Sequence, residues 1–182
     1  TGKVIVGNIG SQKHIKYGVV GSHVNLTARI ESNTVGGQVL VSGSTLELGS
    51  TTVLREEVLA FARKFDPQPF HLDDEAAAHS VFGKLAASGW HTCAMAMGLM
   101  VRGFLHEAAS LGSPGLENIK WLRPVYPGDT LTLRQRFLQT RPMKSRPDVG
   151  LARSLWEMFN QHGEQVLSMD GWGMFRRRTP GA

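Results

Sequence analysis

A single cysteine, Cys93, and only two tyrosines stand in a chain of 182 residues. One thiol excludes an internal disulfide and any zinc site built from several cysteines, and a reducing, cytoplasmic setting is the natural expectation. No uncharged apolar run approaches the roughly 20 residues that a membrane span needs, because His91, Arg102, His106 and Glu107 interrupt the longest one. The opening residues, Thr1 to Gly10, lack the charged start and apolar stretch of a secretion signal and carry no initiator methionine, which points to a fragment or a processed chain. Acidic residues are scarce in one half only. Residues 47 to 119 hold five Lys/Arg against nine Asp/Glu, whereas residues 120 to 182 hold eleven against five. Such a surplus suits a phosphate-bearing small ligand, a nucleic acid or a solvated face. The basic residues are spread along strand-like segments rather than clustered with stacking aromatics, which argues against nucleic acid.

What is present is an ordinary apolar fraction, 41%, enough for one domain and an appendage. Small polar residues and glycine crowd Ser42 to Thr52, and the boundary is expected there, with one unit over 1–46 and a second over 47–182. Ahead of it, Val4 to Val6, Ile15 to Val20 and Gln38 to Val41 read as short strands and Ser22 to Ser32 as a helix. So short a piece buries little surface alone. After it, Val58, Leu59, Phe61 and Ala62 recur at helical spacing over Arg55 to Lys64, with Leu54 where a capping hydroxyl would be expected. A short acidic helix over Asp73 to His79 follows. Ser88 to about Ala109 is apolar on every face, so the spacing predicts a helix wrapped on all sides. From Leu116 the period becomes two, with turns at Tyr126 to Asp129 and Asn160 to Gly163, which predicts antiparallel strands. The order implies an α+β fold in which a sheet curls around one buried helix.

The candidate chemistry begins at Phe65-Asp66-Pro67-Gln68-Pro69-Phe70-His71. Two prolines end the preceding helix and stiffen the turn, so Asp66 and His71 can face one pocket as an acid/base pair; equally, a helix can simply stop there with an exposed histidine after it. The start of the next helix, Ala87-Ser88-Gly89-Trp90-His91, offers free N–H donors to a developing oxyanion, and Gly89 permits close approach. A carboxylate and a histidine beside such a hole can activate water or move a proton next to a thioester. The remaining histidines, 79, 91 and 106, lack a matching carboxylate cluster, so no metal is expected. Cys93 reads as a small core residue, the methionines at 95, 97 and 100 as core filling with a flexible lining for an acyl chain, and Trp121, Trp156 and Trp172 as packing between sheet and helix.

Those residues carry a resemblance. From about Glu47 to Arg178 the chain resembles the MaoC-like dehydratases, relatives of the (R)-specific enoyl-CoA hydratases with the hotdog fold. Asp66 to His71 matches the hydratase motif Asp-x-Asn-Pro-x-His, Ala87 to Thr92 the start of the hotdog helix, and Trp121 to Asp129 the strand and turn after it. The resemblance implies that Asp66 and His71 hold the attacking water, that the Gly89 N–H receives the thioester oxygen, and that Gln68, Ser88 and Trp90 line the substrate. Gln68 replaces the motif asparagine and Ser88 a histidine. Residues 1–45 resemble the carboxyl-terminal part of a class III adenylate/guanylate cyclase domain, carried by Val6 to Ser11 and Val20 to Ser32 with Asn25 and Arg29 one turn apart. The aspartates that bind metal in that domain's earlier half are absent, so cyclase activity is not expected. The resemblance therefore implies a lyase that hydrates a 2-enoyl-CoA to a 3-hydroxyacyl-CoA, with coenzyme A as part of the substrate, no separate cofactor, no nucleic acid or membrane partner, and a homodimer or higher homo-oligomer. A thioesterase on the same fold and a non-catalytic acyl-CoA or nucleotide-binding module are the alternatives.

Overall fold

The computed structural model describes residues 5–9, 16–20, 43 and 45–177. Two short strands, β1 (Ile5–Ile9) and β2 (Lys16–Val20), pair antiparallel with Ile5 opposite Val20, close to the expected strands. The helix expected at Ser22 to Ser32, the strand at Gln38 to Val41, the Asn25 and Arg29 pair and Arg178 lie outside the described residues.

Five further strands form one antiparallel sheet: β3 (Thr45–Thr52), β4 (Ser110–Trp121), β5 (Thr130–Met143), β6 (Arg146–Phe159) and β7 (Gln165–Arg176), in the order β3-β5-β6-β7-β4. Strands β5, β6 and β7 are neighbours in sequence and in space, β5 and β6 joined by a turn at Lys144 and Ser145 and β6 and β7 by the turn that holds Gly163, while the turn with Gly128 leads into β5. Along β5 the side chains of Leu131, Leu133, Gln135 and Phe137 point inward while those between them face out, the period-two pattern of a sheet with one buried face. Onto that face packs α4 (Gly89–Met100), extended by a π turn over Val101–Leu105. Ala96, Leu99, Met100 and Phe104 meet Leu131, Leu133, Phe137, Met158 and Leu167, and Phe104 sets its ring edge-on to Phe137 at 5.7 Å and Phe175 at 6.0 Å. Each fully buried side chain of this size contributes about 2 kcal/mol, so the helix is held by the sheet rather than by its own propensity. The architecture is the α+β fold that the element order implied, in the hotdog form that the family resemblance implied.

The polar segment Ser42 to Thr52, where the boundary is expected, forms from Thr45 the edge strand β3, with Thr45 opposite Arg136 and Thr52 opposite Thr130. Its threonines and serines are the outward positions of an edge strand, while Leu48 and Val53 fill the core. Gly103 admits it, because a Cβ there would lie 2.7 Å from the Leu48 carbonyl oxygen. The long helix runs as α-helix to Met100 and as a π turn to Leu105, short of Ala109, and the sheet resumes at Ser110 rather than Leu116. Nor is the helix wrapped on all sides within one chain, for Trp90, Met97 and Val101 are exposed.

Before α4 the chain makes three short helices. The first, α1 (Arg55–Phe65), has acidic Glu56 and Glu57 in its first turn and Arg63 and Lys64 in its last, charges that favour its dipole and stand in for the cap that Leu54 does not supply. Pro67 forbids its continuation. One turn, α2 (Pro69–Leu72), then starts with proline at its first position, and α3 (Asp74–Ala78) is capped by Asp73, whose carboxylate accepts from the Ala76 N–H at 2.9 Å.

Candidate active site

The proline elbow and the start of α4 meet. Asp66, the residue at which α1 stops, turns its carboxylate toward α4, where the Ser88 hydroxyl donates to Oδ2 at 2.6 Å and the Gln68 amide donates to Oδ1 at 2.7 Å. Burial pushes the Asp66 pKa upward, but those two hydrogen bonds and the neighbouring His71 outweigh it and hold the carboxyl below its ordinary range. At neutral pH Asp66 is an oriented anion.

His71 sits in the single turn of α2, 4% exposed, between the rings of Phe70 and Phe82 at 4.6 and 5.8 Å. Its Nδ1 lies 2.8 Å from the Ala86 carbonyl oxygen. A carbonyl only accepts, so Nδ1 carries a proton and the Nε2 position is left free. That Nε2 faces Asp66 Oδ2 at 3.6 Å, slightly beyond a direct hydrogen bond. The pair is thus a fixed carboxylate and an imidazole nitrogen turned toward the same space, and not the inert helix end with an exposed histidine.

At the helix start, Ser88 caps α4 by accepting from the Trp90 N–H at 3.2 Å, and the Thr92 N–H begins the helical ladder on the Ser88 carbonyl at 3.1 Å. Gly89 lies in the first turn, where an N–H has no partner within the helix. The approach to α4 is anchored by the Ala87 N–H, which donates to the Val125 carbonyl at 2.8 Å and so fixes the loop after β4 against the helix. That loop and the end of β4 form the far wall. Trp121 lies directly over Gly89: a Cβ there would stand 2.6 Å from the indole Nε1, so only glycine fits beneath the ring.

These groups enclose a cavity of 430 Å³. Asp66, Gln68, His71, Gly89 and Trp90, all expected from sequence, line it together. Ser88 is 1% exposed and does not line the cavity; its hydroxyl reaches Asp66 instead of open space. His91 turns away, stacked on Phe61 at 4.8 Å beside a separate depression that also holds Glu57, Lys64 and Arg102, and burial lowers its pKa. Sequence reasoning missed Phe70, Phe82 and Arg123 in the wall, and it gave Trp121 a packing role when its ring is half exposed at the cavity. Only the fold brings Trp121 to Gly89, because nothing local in the sequence couples positions so far apart. Among the described residues no group of three or more His, Cys, Asp or Glu could hold a metal ion, and no helix is long and apolar enough to cross a membrane.

A carboxylate held ionised, an imidazole with one free nitrogen and a glycine at a helix start are the parts of an acid/base site with an oxyanion donor. The chain is also similar to known proteins. The MaoC like domain matches residues 40–153, and the adenylate and guanylate cyclase catalytic domain matches residues 1–64. A MaoC-like dehydratase from Rhodospirillum rubrum is 41% identical, covering 77% of this chain and 95% of its own, with a TM-score of 0.71. The uncharacterized protein YdeM of Bacillus subtilis (strain 168) is 28% identical over 125 residues, 69% of this chain and 87% of its own. The R-hydratase PhaJ1 from Pseudomonas aeruginosa, 23% identical with a TM-score of 0.60 over 77% of this chain and 84% of its own, shares the fold. The chain therefore belongs to the MaoC-like dehydratase family.

Proposed function

We propose that this chain is a hydro-lyase that adds water reversibly across the double bond of a 2-enoyl-CoA thioester, giving a 3-hydroxyacyl-CoA. The observation that carries the reading is the convergence of Asp66, His71 and the Gly89 turn on one cavity. Asp66 and His71 Nε2 hold the water between them. As its oxygen bonds to C3 of the substrate, one of its protons passes to this pair, and negative charge moves to the thioester oxygen. The Gly89 N–H and the positive end of α4 receive that charge. The proton then goes to C2, the enolate collapses, and the pair is regenerated; water is the only co-reactant. A hydrogen-bonded carboxylate of low pKa is a weak base, and its orientation compensates. Arg123, in the cavity wall, is the cation placed to meet a phosphate of coenzyme A.

The same reading assigns a homodimer. Strand β4 is one of the two edges of the sheet, and Trp90, Met97 and Val101 of the helix region are exposed, so a second copy has both a sheet edge and an apolar face to cover. Light scattering that finds only monomer at micromolar concentration would remove this part.

The test follows the conjugated enoyl absorbance of crotonyl-CoA and 2-hexenoyl-CoA. The parent is expected to consume it, and Asp66→Asn and His71→Ala to lose about 10²–10⁴ in kcat, the range general acid/base catalysis supplies. No turnover by the parent, release of free thiol in place of hydration, or full activity in both variants refutes the assignment.

A further inference from the structure

We infer that Trp121 sets the length of acyl chain this protein accepts, by standing between the catalytic cavity and a second, apolar cavity that is long enough to take a tail. The identity of the ligand rests on the hydratase reading above; the gate rests on geometry. The second cavity, 290 Å³, lies between α4 and the sheet, with Cys93, Met97 and Met100 on the helix side and Ala152, Met169 and Phe175 on the sheet side. Thioethers are flexible and polarizable, so such a wall adapts to an alkyl chain. Two polar atoms of residues in the same wall, Gln135 Oε1 and Trp156 Nε1, are buried without a partner among the described residues. A sealed packing void leaves that cost standing, whereas a space open to water or to a ligand's polar end relieves it.

The indole of Trp121 lines the catalytic cavity and covers Gly89 so closely that a Cβ would lie 2.6 Å from Nε1, and it neighbours the thiol of Cys93, which lines the second cavity. Gly89 and Cys93 are four residues apart on α4, hence one above the other on the same face of the helix. A tail running from a thioester at Gly89 toward Met97 must cross that face, and the ring lies across it. The ring is half exposed, and its aromatic neighbour is Trp90, edge-on at 5.3 Å and itself exposed, so neither belongs to the buried core. A small side chain at this position joins the two cavities.

The experiment measures kcat/KM for crotonyl-CoA and 2-octenoyl-CoA, and the affinity for butyryl-CoA and octanoyl-CoA by calorimetry, in the parent, Trp121→Ala and Trp121→Leu. Burial of one methylene carries about fourfold. The octenoyl-to-crotonyl ratio of kcat/KM, and the octanoyl-to-butyryl ratio of affinity, should each rise by about tenfold or more in Trp121→Ala and by less in Trp121→Leu. Adding Ala152→Leu, which fills the second cavity, should cancel the gain. Ratios within twofold of the parent in a folded variant, or a gain that survives Ala152→Leu, overturn the inference. Where Trp121→Ala does not fold, Trp121→Leu carries the same reading. A parent that turns over neither enoyl thioester defeats the hydratase reading, while the affinity ratios for the saturated thioesters still decide the gate.

Discussion

Ser88→Ala is the most informative single change, because one hydroxyl performs two tasks at a position 1% exposed. It donates to Asp66 Oδ2 at 2.6 Å and accepts from the Trp90 N–H at 3.2 Å. A hydrogen bond to an ionised partner is worth about 1.5–3 kcal/mol and an N-cap about 1 kcal/mol. The Asp66 side chain keeps 19% exposure, so water replaces part of the first contribution, and a total near 2–3 kcal/mol is expected at neutral pH. The pH dependence has a definite sign. Asp66 has a lowered pKa in the folded protein, so it contributes stability that is present above its unfolded pKa and is lost as pH falls through the folded value. Alanine removes the stronger of the two hydrogen bonds that oppose burial, so the Asp66 pKa rises in the variant. The gap between parent and variant should therefore be widest at neutral pH and narrow toward the capping part, about 1 kcal/mol, in acid where Asp66 is protonated in both. Urea denaturation over a pH series measures this, and the acid limb of the hydration rate should move upward in parallel. A loss under about 0.5 kcal/mol at neutral pH, or one that does not vary with pH, would show that the contact does not hold the carboxylate in place.

Gly89→Ala should leave the fold intact, as judged by circular dichroism, yet lower kcat by about 10²–10³, because the new methyl must displace the Trp121 ring and crowd the oxyanion donor. Gly103→Ala acts on the fold instead: its Cβ would meet the Leu48 carbonyl oxygen at 2.7 Å and the Leu48 Cα at 3.0 Å, backbone that cannot yield, so a loss of about 1–3 kcal/mol in urea denaturation is expected. Gln68→Ala removes a donor at an exposed position, so its cost should stay under about 1 kcal/mol and its shift of the acid limb below that of Ser88→Ala.

Elements whose sequence signal is local were legible. Pro67 and Pro69 announced the elbow, the period of two in β5 its buried face, and the unbroken apolar stretch the central helix. What could not be read depends on contacts between distant residues. Strand β3 lies where composition marks only a boundary, because an edge strand carries polar residues on its open side, and only the close approach of Leu48 to Gly103 reveals its place. Propensity alone does not mark the end of the central helix: Gly103 disfavours a helix, yet the chain continues past it in a π turn that buries Phe104 between Phe137 and Phe175. The basic surplus of the second half suggested phosphate contacts, yet Arg134, Arg136, Arg146 and Arg153 each lie within 4 Å of a carboxylate, the last in a two-pronged pair with Asp170 at 2.8 and 2.7 Å. Net charge counts residues and is blind to such pairing.

The two departures from the hydratase motif, Gln68 for asparagine and Ser88 for histidine, appear unrelated in the sequence. In the folded chain they converge on one group, each donating to a different oxygen of Asp66, at 2.7 and 2.6 Å. Both donors favour the anion, and neither carries a charge of its own. The consequence for catalysis has two sides. An ionised and immobile carboxylate is ready to hold water without first losing a proton, so activity should persist further into acid than a carboxyl of ordinary pKa allows. The same stabilisation weakens Asp66 as a base and lowers the intrinsic rate of proton abstraction. A histidine at position 88 in place of serine would bring a second titrating group to the carboxylate and make its state depend on pH near neutrality. The serine and glutamine of this chain bring no such group, and His71 Nε2, 3.6 Å from Asp66 Oδ2, is the imidazole nitrogen that faces the carboxylate.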